Sequence, residues 1–242
     1  MKRKDRYQPH LVKKQKEGFW DNEYKDADNL AISSNPSEDL MKFTRYVERD
    51  HGRLFFNPLS SVADLGCGNG RNLIYLSQTY GMRGFGCDIS AEAIAQAKKR
   101  STDLPLSYAV QSIADPVPLP DESQVLVLDM MTSHFLNETQ RIEFKNEIAR
   151  ILKPGGWLFF KTFLLDEDKH AKRLLTDFPA AEAGSYIHPK IGVAEHVFTE
   201  EEIVDILSDK FLIHKIHKSH GHLRTNGAAK RRSISVYAQK IS

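Results

Sequence analysis

The stretch Asp64-Leu65-Gly66-Cys67-Gly68-Asn69-Gly70 crowds glycines directly behind a short apolar run that begins at Val62. Glycines this dense weaken regular structure, and they permit backbone conformations and close approaches that side chains forbid. A second chemistry-bearing group follows in "GFGCDIS", where Asp88 closes an apolar segment. A carboxylate at such a strand end accepts hydrogen bonds from the hydroxyls of a ribose. Ser90 already stands where the next helix needs its N-cap, which leaves Asp88 for a ligand.

The spacing separates two ligand classes that use a glycine loop at a strand end. The dinucleotide fingerprint G-x-G-x-x-G needs its last glycine for close packing of helix on strand. Counted from Gly66, that position is Arg71, which is too large. Asp64 also stands just before the first glycine, where a carboxylate opposes a pyrophosphate but suits a ligand carrying an ammonium and a sulfonium. The loop therefore points to S-adenosylmethionine.

Other residues bear on an acceptor. His134 follows the apolar stretch "QVLVLDM", which ends in Asp129 and Met130. An imidazole titrating near neutrality takes a proton from an acceptor oxygen or nitrogen; a loop histidine held by backbone is the alternative. Trp20 and Tyr24 in "FWDNEY" offer ring faces to a cation, or else anchor an N-terminal helix on the core. His188 and His196 flank "PKIGVAE" and are expected on the substrate side. His214, His217, His220 and His222 invite a metal. The first two are three apart in a strand pattern, so they face opposite ways, and no cysteine or acid joins them. A solvated basic edge is expected there, and no metal.

The elements that must position these groups alternate. A helix runs through Leu40, Phe43, Tyr46 and Val47 from a Ser37 cap to Gly52, followed by the strand "SSVADLG". Helix "NLIYLSQTY" ends at Gly81; strand "RGFGCDI", helix "SAEAIAQAKKR" and strand "LSYAVQ" come next. After the proline-rich "DPVPLPDES" come strand "QVLVLDM", helix "ETQRIEFKNEIARIL" stopping at Pro154-Gly155-Gly156, and strand "WLFFKTF". Alternating β and α with short connections implies a parallel sheet covered on both faces. Thr199 with Glu202 reads as a capping box, and "FLIHKIH" and "SISVYAQK" read as an antiparallel strand pair. Residues 1–18 are expected to form a basic arm and 19–242 one domain: lid 19–58, core 59–163, a mostly irregular or short-helical substrate-side insertion 164–198, and C-terminal helix with strand pair 199–242.

The chain has 242 residues, 40% hydrophobic and 27% charged, with a net charge of +2. This is an ordinary globular composition that by itself indicates neither nucleic acid nor membrane. With no secretory segment at its start and two cysteines that make no framework, the chain is expected to be cytoplasmic. The basic arm is a solvated terminus or a contact to a polyanion, extended by Lys230, Arg231 and Arg232.

The segments "VADLGCGNGRNL", "GFGCDIS", "PLPDESQVLVLDM" and "ILKPGGWLFF" stand in an order and spacing that resemble the class I S-adenosylmethionine-dependent methyltransferases. The resemblance covers roughly 60–165. It implies a Rossmann-like α/β fold with a seven-stranded sheet of order 3-2-1-4-5-7-6, the last strand antiparallel. It further implies that Asp64 and the loop Gly66, Cys67, Gly68, Gly70 hold the methionine end. Asp88 would hold the ribose, Ile89 pack on adenine, and Ser112 and Ile113 stand where relatives contact the adenine amino group, with Asp115 nearby. Asp129 closes the fourth strand, and Met130 belongs to the pocket floor after it. "LDMMTSHFL" lacks the prolines of methyltransferases acting on amino groups of adenine or glutamine, and it resembles the small-molecule branch. "FWDNEY" resembles a lid segment of tellurite- and thiopurine-type members. A small-molecule acceptor is expected; an RNA or protein methyltransferase, and a non-catalytic cofactor-binding or scaffold subunit, are the alternatives.

Overall fold

The computed structural model describes residues 18–26, 32–219 and 231–241. Residues 1–17 of the basic arm, Lys230 and the His220–His222 end of the histidine run lie outside the described residues. Residues 18–25 form helix α1, followed by α2 (Glu38–His51). The core then alternates β1 (Ser61–Leu65), α3 (Arg71–Tyr80), β2 (Arg83–Asp88), α4 (Ala91–Arg100), β3 (Leu106–Val110) and β4 (Gln124–Met130). A 3-10 turn (Ser133–Phe135), α5 (Glu138–Ile151) and β5 (Leu152–Phe163) complete it.

The main sheet has seven strands in the order β3-β2-β1-β4-β5-β9-β8. β9 (Ser233–Lys240) runs antiparallel to β5 and to β8 (Phe211–Lys218), while the other five are parallel. With the small sheet left out of the numbering, this is the order 3-2-1-4-5-7-6 with an antiparallel last strand. Side chains alternate across the sheet and fill two cores. Ala63, Val127, Leu158 and Phe160 point to one with α5 and α7 (Glu200–Leu207). Val62, Leu126, Trp157 and Phe159 point to the other with α2 to α4. Phe43 of α2 fixes that second face, its ring 5.0 Å from both Phe159 and Tyr237.

Four local expectations are corrected. Helix α5 ends at Ile151, not at the Pro-Gly-Gly stop. Leu152 is already extended and pairs with Gln124, two residues ahead of Pro154, which has no N–H to continue the helical ladder. The 164–198 segment is more regular than expected: α6 (Lys169–Asp177) leads into a separate antiparallel sheet of β6 (Ser185–Ile187) and β7 (Ala194–His196). Ser37 holds the cap position of α2 without a side-chain cap bond; its amide instead donates to Asn72 Oδ1. Thr199 caps α7, but the Glu202 carboxylate pairs with His196 Nε2 at 2.8 Å instead of closing the box.

At the sheet edge, His214 packs 4.8 Å from the Trp157 ring and its Nε2 lies 3.0 Å from Gln239 Oε1. Among the described residues no group of three or more His, Cys, Asp or Glu is placed to hold a metal. Among them, too, no helix is long and apolar enough to cross a membrane.

Candidate functional site

The order of the parallel strands reverses between β1 and β4, and ligands of open α/β sheets bind outside the carboxyl ends at such a point. A cavity of about 570 Å³ opens there, within the roughly 300–1,000 Å³ of small-molecule sites.

The glycine loop forms one wall, and its hydrogen bonds say what it is built for. The amides of Gly66 and Cys67 both donate to Cys87 O, at 2.8 and 2.9 Å. Gly68 N donates to Asp88 Oδ2 at 2.8 Å, and Gly70 N to Cys67 O at 3.1 Å. None of these four amides is free to cradle a pyrophosphate, as a dinucleotide loop requires. All three loop glycines have positive φ. A Cβ on Gly70 would meet Tyr108 and Ala97, so Gly70 serves the packing of α3 and α4 and does not line the cavity. A Cβ on Gly66 would strike Thr132, and one on Gly68 the Tyr24 hydroxyl. The closest approaches to the loop are thus made by the protein's own side chains.

Helix α1 brings Tyr24 there. Asp21 Oδ1 accepts from Ser90 Oγ at 2.6 Å and from Glu92 N at 3.1 Å, pinning α1 to the start of α4. Gln96 Nε2 donates to Tyr24 O at 2.6 Å. Burial first, and the nearby Asp88 next, push the Tyr24 phenol up, so it stays neutral. Trp20 packs edge-on against Phe135 at 5.3 Å, closing the cavity from the same helix. The anchoring role and the cavity-lining role of this helix are therefore combined.

The carboxylates divide into two kinds. Asp88 lines the cavity; its Oδ1 accepts from Ser90 N at 3.0 Å while Oδ2 takes Gly68 N. An ionised carboxylate offers about four acceptor positions, so room remains for hydroxyl donors. Asp64 and Asp129 are each 1% exposed and stand behind the wall, not in it. Burial raises both to about 7, helped for Asp64 by Asp88 and opposed for Asp129 by the Ser133 hydrogen bonds. Asp129 Oδ1 caps Ser133 N at 3.2 Å and so shapes the turn after β4. Asp64 Oδ2 is buried without a partner directly behind the loop. An orphaned acceptor behind a loop whose Gly66, Cys67, Gly68 and Gly70 amides are already paired fits a cationic ligand end better than an anionic one, which is the fit S-adenosylmethionine requires.

Ile89, Ser112, Ile113, Cys67 and Met130 line the cavity; Asp115 is exposed and does not. Met131 also lines it, held at φ 64 by the tight turn leaving β4. His134 lines the far part, 2% exposed, with its ring 4.1 Å from Phe135 and 5.3 Å from Phe163. Its Nδ1 is buried without a partner among the described residues, so none of their backbone groups satisfies it there. Burial lowers His134 to about 4, which keeps the ring neutral and makes it a weak proton acceptor.

His188 joins His134 in the cavity, and His196 does not. His196 is 4% exposed behind the wall, with Ser185 Oγ 2.9 Å from Nδ1 and Glu202 on Nε2. It ties β7 to α7. Sequence reasoning missed Lys161, Glu195 and, as a site residue, Arg231, which the fold brings into the wall from β5, β7 and the approach to β9. Glu195 accepts from Arg231 Nη1 at 2.7 Å and from the Tyr186 hydroxyl. Burial pushes Glu195 up, but His134 and Arg231 outweigh it and leave the carboxyl below its usual range.

Residues 63–160 match the family described as "Methyltransferase domain". The chain is 25% identical over 156 residues to a fatty-acid O-methyltransferase of Mycolicibacterium smegmatis, covering 64% of this chain and 56% of that protein. It is 32% identical over 139 residues to a phthiotriol/phenolphthiotriol dimycocerosates methyltransferase of Mycobacterium tuberculosis, covering 53% and 50%. The chain thus spans about half the length of these relatives. Among solved structures, the 1,6-didemethyltoxoflavin-N1-methyltransferase of Burkholderia thailandensis superposes with a TM-score of 0.69 at 15% identity, covering 100% of this chain and 94% of that one.

Proposed function

We propose that residues 63–160, which match the methyltransferase-domain family, form an S-adenosylmethionine-dependent methyltransferase core of class I type, and that the protein transfers a methyl group to a small-molecule acceptor. The observation that carries this reading is the continuity of the cavity. It runs from the Asp88 corner past the glycine loop to a wall that includes Phe163, His134 and Arg231. Donor and acceptor fit end to end in such a space. The relatives named for fatty-acid and phthiotriol-type acceptors, and the fold neighbour named for a toxoflavin precursor, support a small molecule.

When bound, the cofactor supplies an electrophilic methyl whose bond to sulfur breaks, its electron pair staying on sulfur, as the acceptor's lone pair forms the new bond. The chain's own residues align and shield. Asp88 would accept from the ribose hydroxyls, Ile89, Ser112 and Ile113 would enclose the base, and the loop with Tyr24 would hold the methionine end. Trp20, Phe135 and Phe163 exclude water from the far end, and alignment with desolvation supplies much of such a reaction. His134 stays neutral and orients the acceptor; it is too weak a base to deprotonate an alcohol ahead of transfer.

The test is calorimetric titration with S-adenosylhomocysteine, followed by incubation with methyl-labelled cofactor and fractionated small-molecule extract. One saturable site and label in an extractable product are expected. Tight binding with no transfer to any fraction would overturn the enzymatic reading in favour of a binding protein.

A further inference from the structure

The guanidinium of Arg231 is only half used. Its Nη1 donates to Glu195, and its central carbon lies 3.4 Å from the centre of the Phe163 ring. Nε and Nη2 are buried and have no hydrogen-bond partner among the described residues. These two nitrogens form one edge of the planar fork, with parallel N–H bonds spaced to receive both oxygens of a carboxylate. Buried donors are almost always paired in native folds, so an intact unpaired edge calls for a partner that the described residues do not provide.

The surroundings narrow that partner. Arg231, Phe163, His134, His188 and Ile191 share the acceptor end of the cavity. Glu195 already offsets the single charge of the guanidinium, so the free edge receives a monoanion at less electrostatic cost than a dianion. The rings and Ile191 favour an apolar body behind it. Resting on the methyltransferase reading above, we propose that the acceptor is an organic acid whose carboxylate docks on the free Nε–Nη2 edge of Arg231 while its apolar body lies against Phe163. A bidentate partner draws electron density toward the guanidinium, so this carboxylate anchors the acceptor and sets its orientation toward the donor.

The test compares 3-phenylpropanoate, 3-phenylpropanamide and 3-phenylpropyl phosphate as probes, titrated into the full chain with and without saturating S-adenosylhomocysteine. The acid is expected to bind about 10-fold or more tighter than the amide, the ratio expected of hydrogen bonds to a charged group. In the paired variant Arg231→Met with Glu195→Gln, which leaves no buried charge behind, the acid-to-amide ratio falls to about 1 while S-adenosylhomocysteine binding stays within about 3-fold. Equal or undetectable binding of acid and amide to the wild type overturns the proposal, as does a ratio that survives in the paired variant. Tighter binding of the phosphate overturns the choice of a carboxylate. Loss of S-adenosylhomocysteine binding in the wild type would instead strike the methyltransferase reading, because the acid-to-amide ratio is also read without it.

Discussion

Asp88 Oδ2 accepts the amide hydrogen of Gly68 at 2.8 Å, so the end of β2 and the glycine loop after β1 form one rigid corner. The other oxygen of the same carboxylate holds Ser90 N at 3.0 Å and fixes the start of α4. The residue proposed to read the ribose therefore also builds the loop beside it.

Replacing Asp88 tests both roles. Asp88→Ala should weaken S-adenosylhomocysteine binding by about 1–3 kcal/mol, from unpaired ribose hydroxyls and a loosened loop. Asp88→Asn keeps one acceptor oxygen and should lose less. Calorimetry showing unchanged affinity in Asp88→Ala would remove the ribose assignment.

Tyr24 and Gly68 should behave as a coupled pair. Gly68→Ala places a Cβ against the Tyr24 hydroxyl at a residue whose φ is +54. Cofactor affinity should fall and the Trp20 fluorescence should shift as α1 is displaced. Adding Tyr24→Phe removes the obstructing hydroxyl and should restore part of the loss, leaving about 1 kcal/mol for the left-handed backbone. Strictly additive losses in the double variant would refute the contact.

Asp21 should act as a latch. Asp21→Ala removes the acceptor for Ser90 Oγ and Glu92 N. A part-buried acceptor at a helix start is worth about 0.5–2 kcal/mol. The expected result is a raised KM for the cofactor and faster proteolysis near residues 18–26, with little change in Tm. An unaltered KM would show that α1 is held by other contacts.

His134 predicts a pH dependence of stability. Its pKa falls from 6.5 to about 4 in the fold, chiefly through burial. Between these values the unfolded chain binds more protons, so stability rises with pH across the window and is lost as pH falls through it. The contribution is on the order of 3 kcal/mol. Asp64 and Asp129, raised to about 7, act in the opposite sense, their contribution lost as pH rises toward 7. Urea titrations of wild type and His134→Gln at several pH values isolate the histidine. Parallel stability curves from pH 4 to pH 6.5 would contradict the burial assigned to it.

What could be read from the chain, and what could not, follows from the range of the interactions. The loop glycines, the Ser90 cap and the strand alternation are written in neighbouring residues, and the sheet order accompanies them through the family resemblance. Asp64 was expected at the ligand, yet at its place in β1 it lies behind the loop, and only strand register decides that. His196 and His188 look equivalent flanking one short segment, but β7 turns the first inward onto Glu202 and leaves the second in the cavity. Arg231 reads as part of a basic surface patch. Its meeting with Glu195, 36 residues earlier in sequence, depends on how the β6–β7 sheet settles beside β9. Tyr24 over Gly68 is a contact of the same kind, set by the docking of α1.

The most direct test of the central claim is where the methyl group goes. The full chain would be incubated with methyl-labelled S-adenosylmethionine and, in parallel, with small-molecule extract, total RNA and total protein. The cavity and its aromatic acceptor wall predict label in the small-molecule fraction, reduced by Asp88→Ala and by the Arg231→Met, Glu195→Gln pair. Label confined to RNA or protein, with the small-molecule fraction unlabelled, would contradict the account.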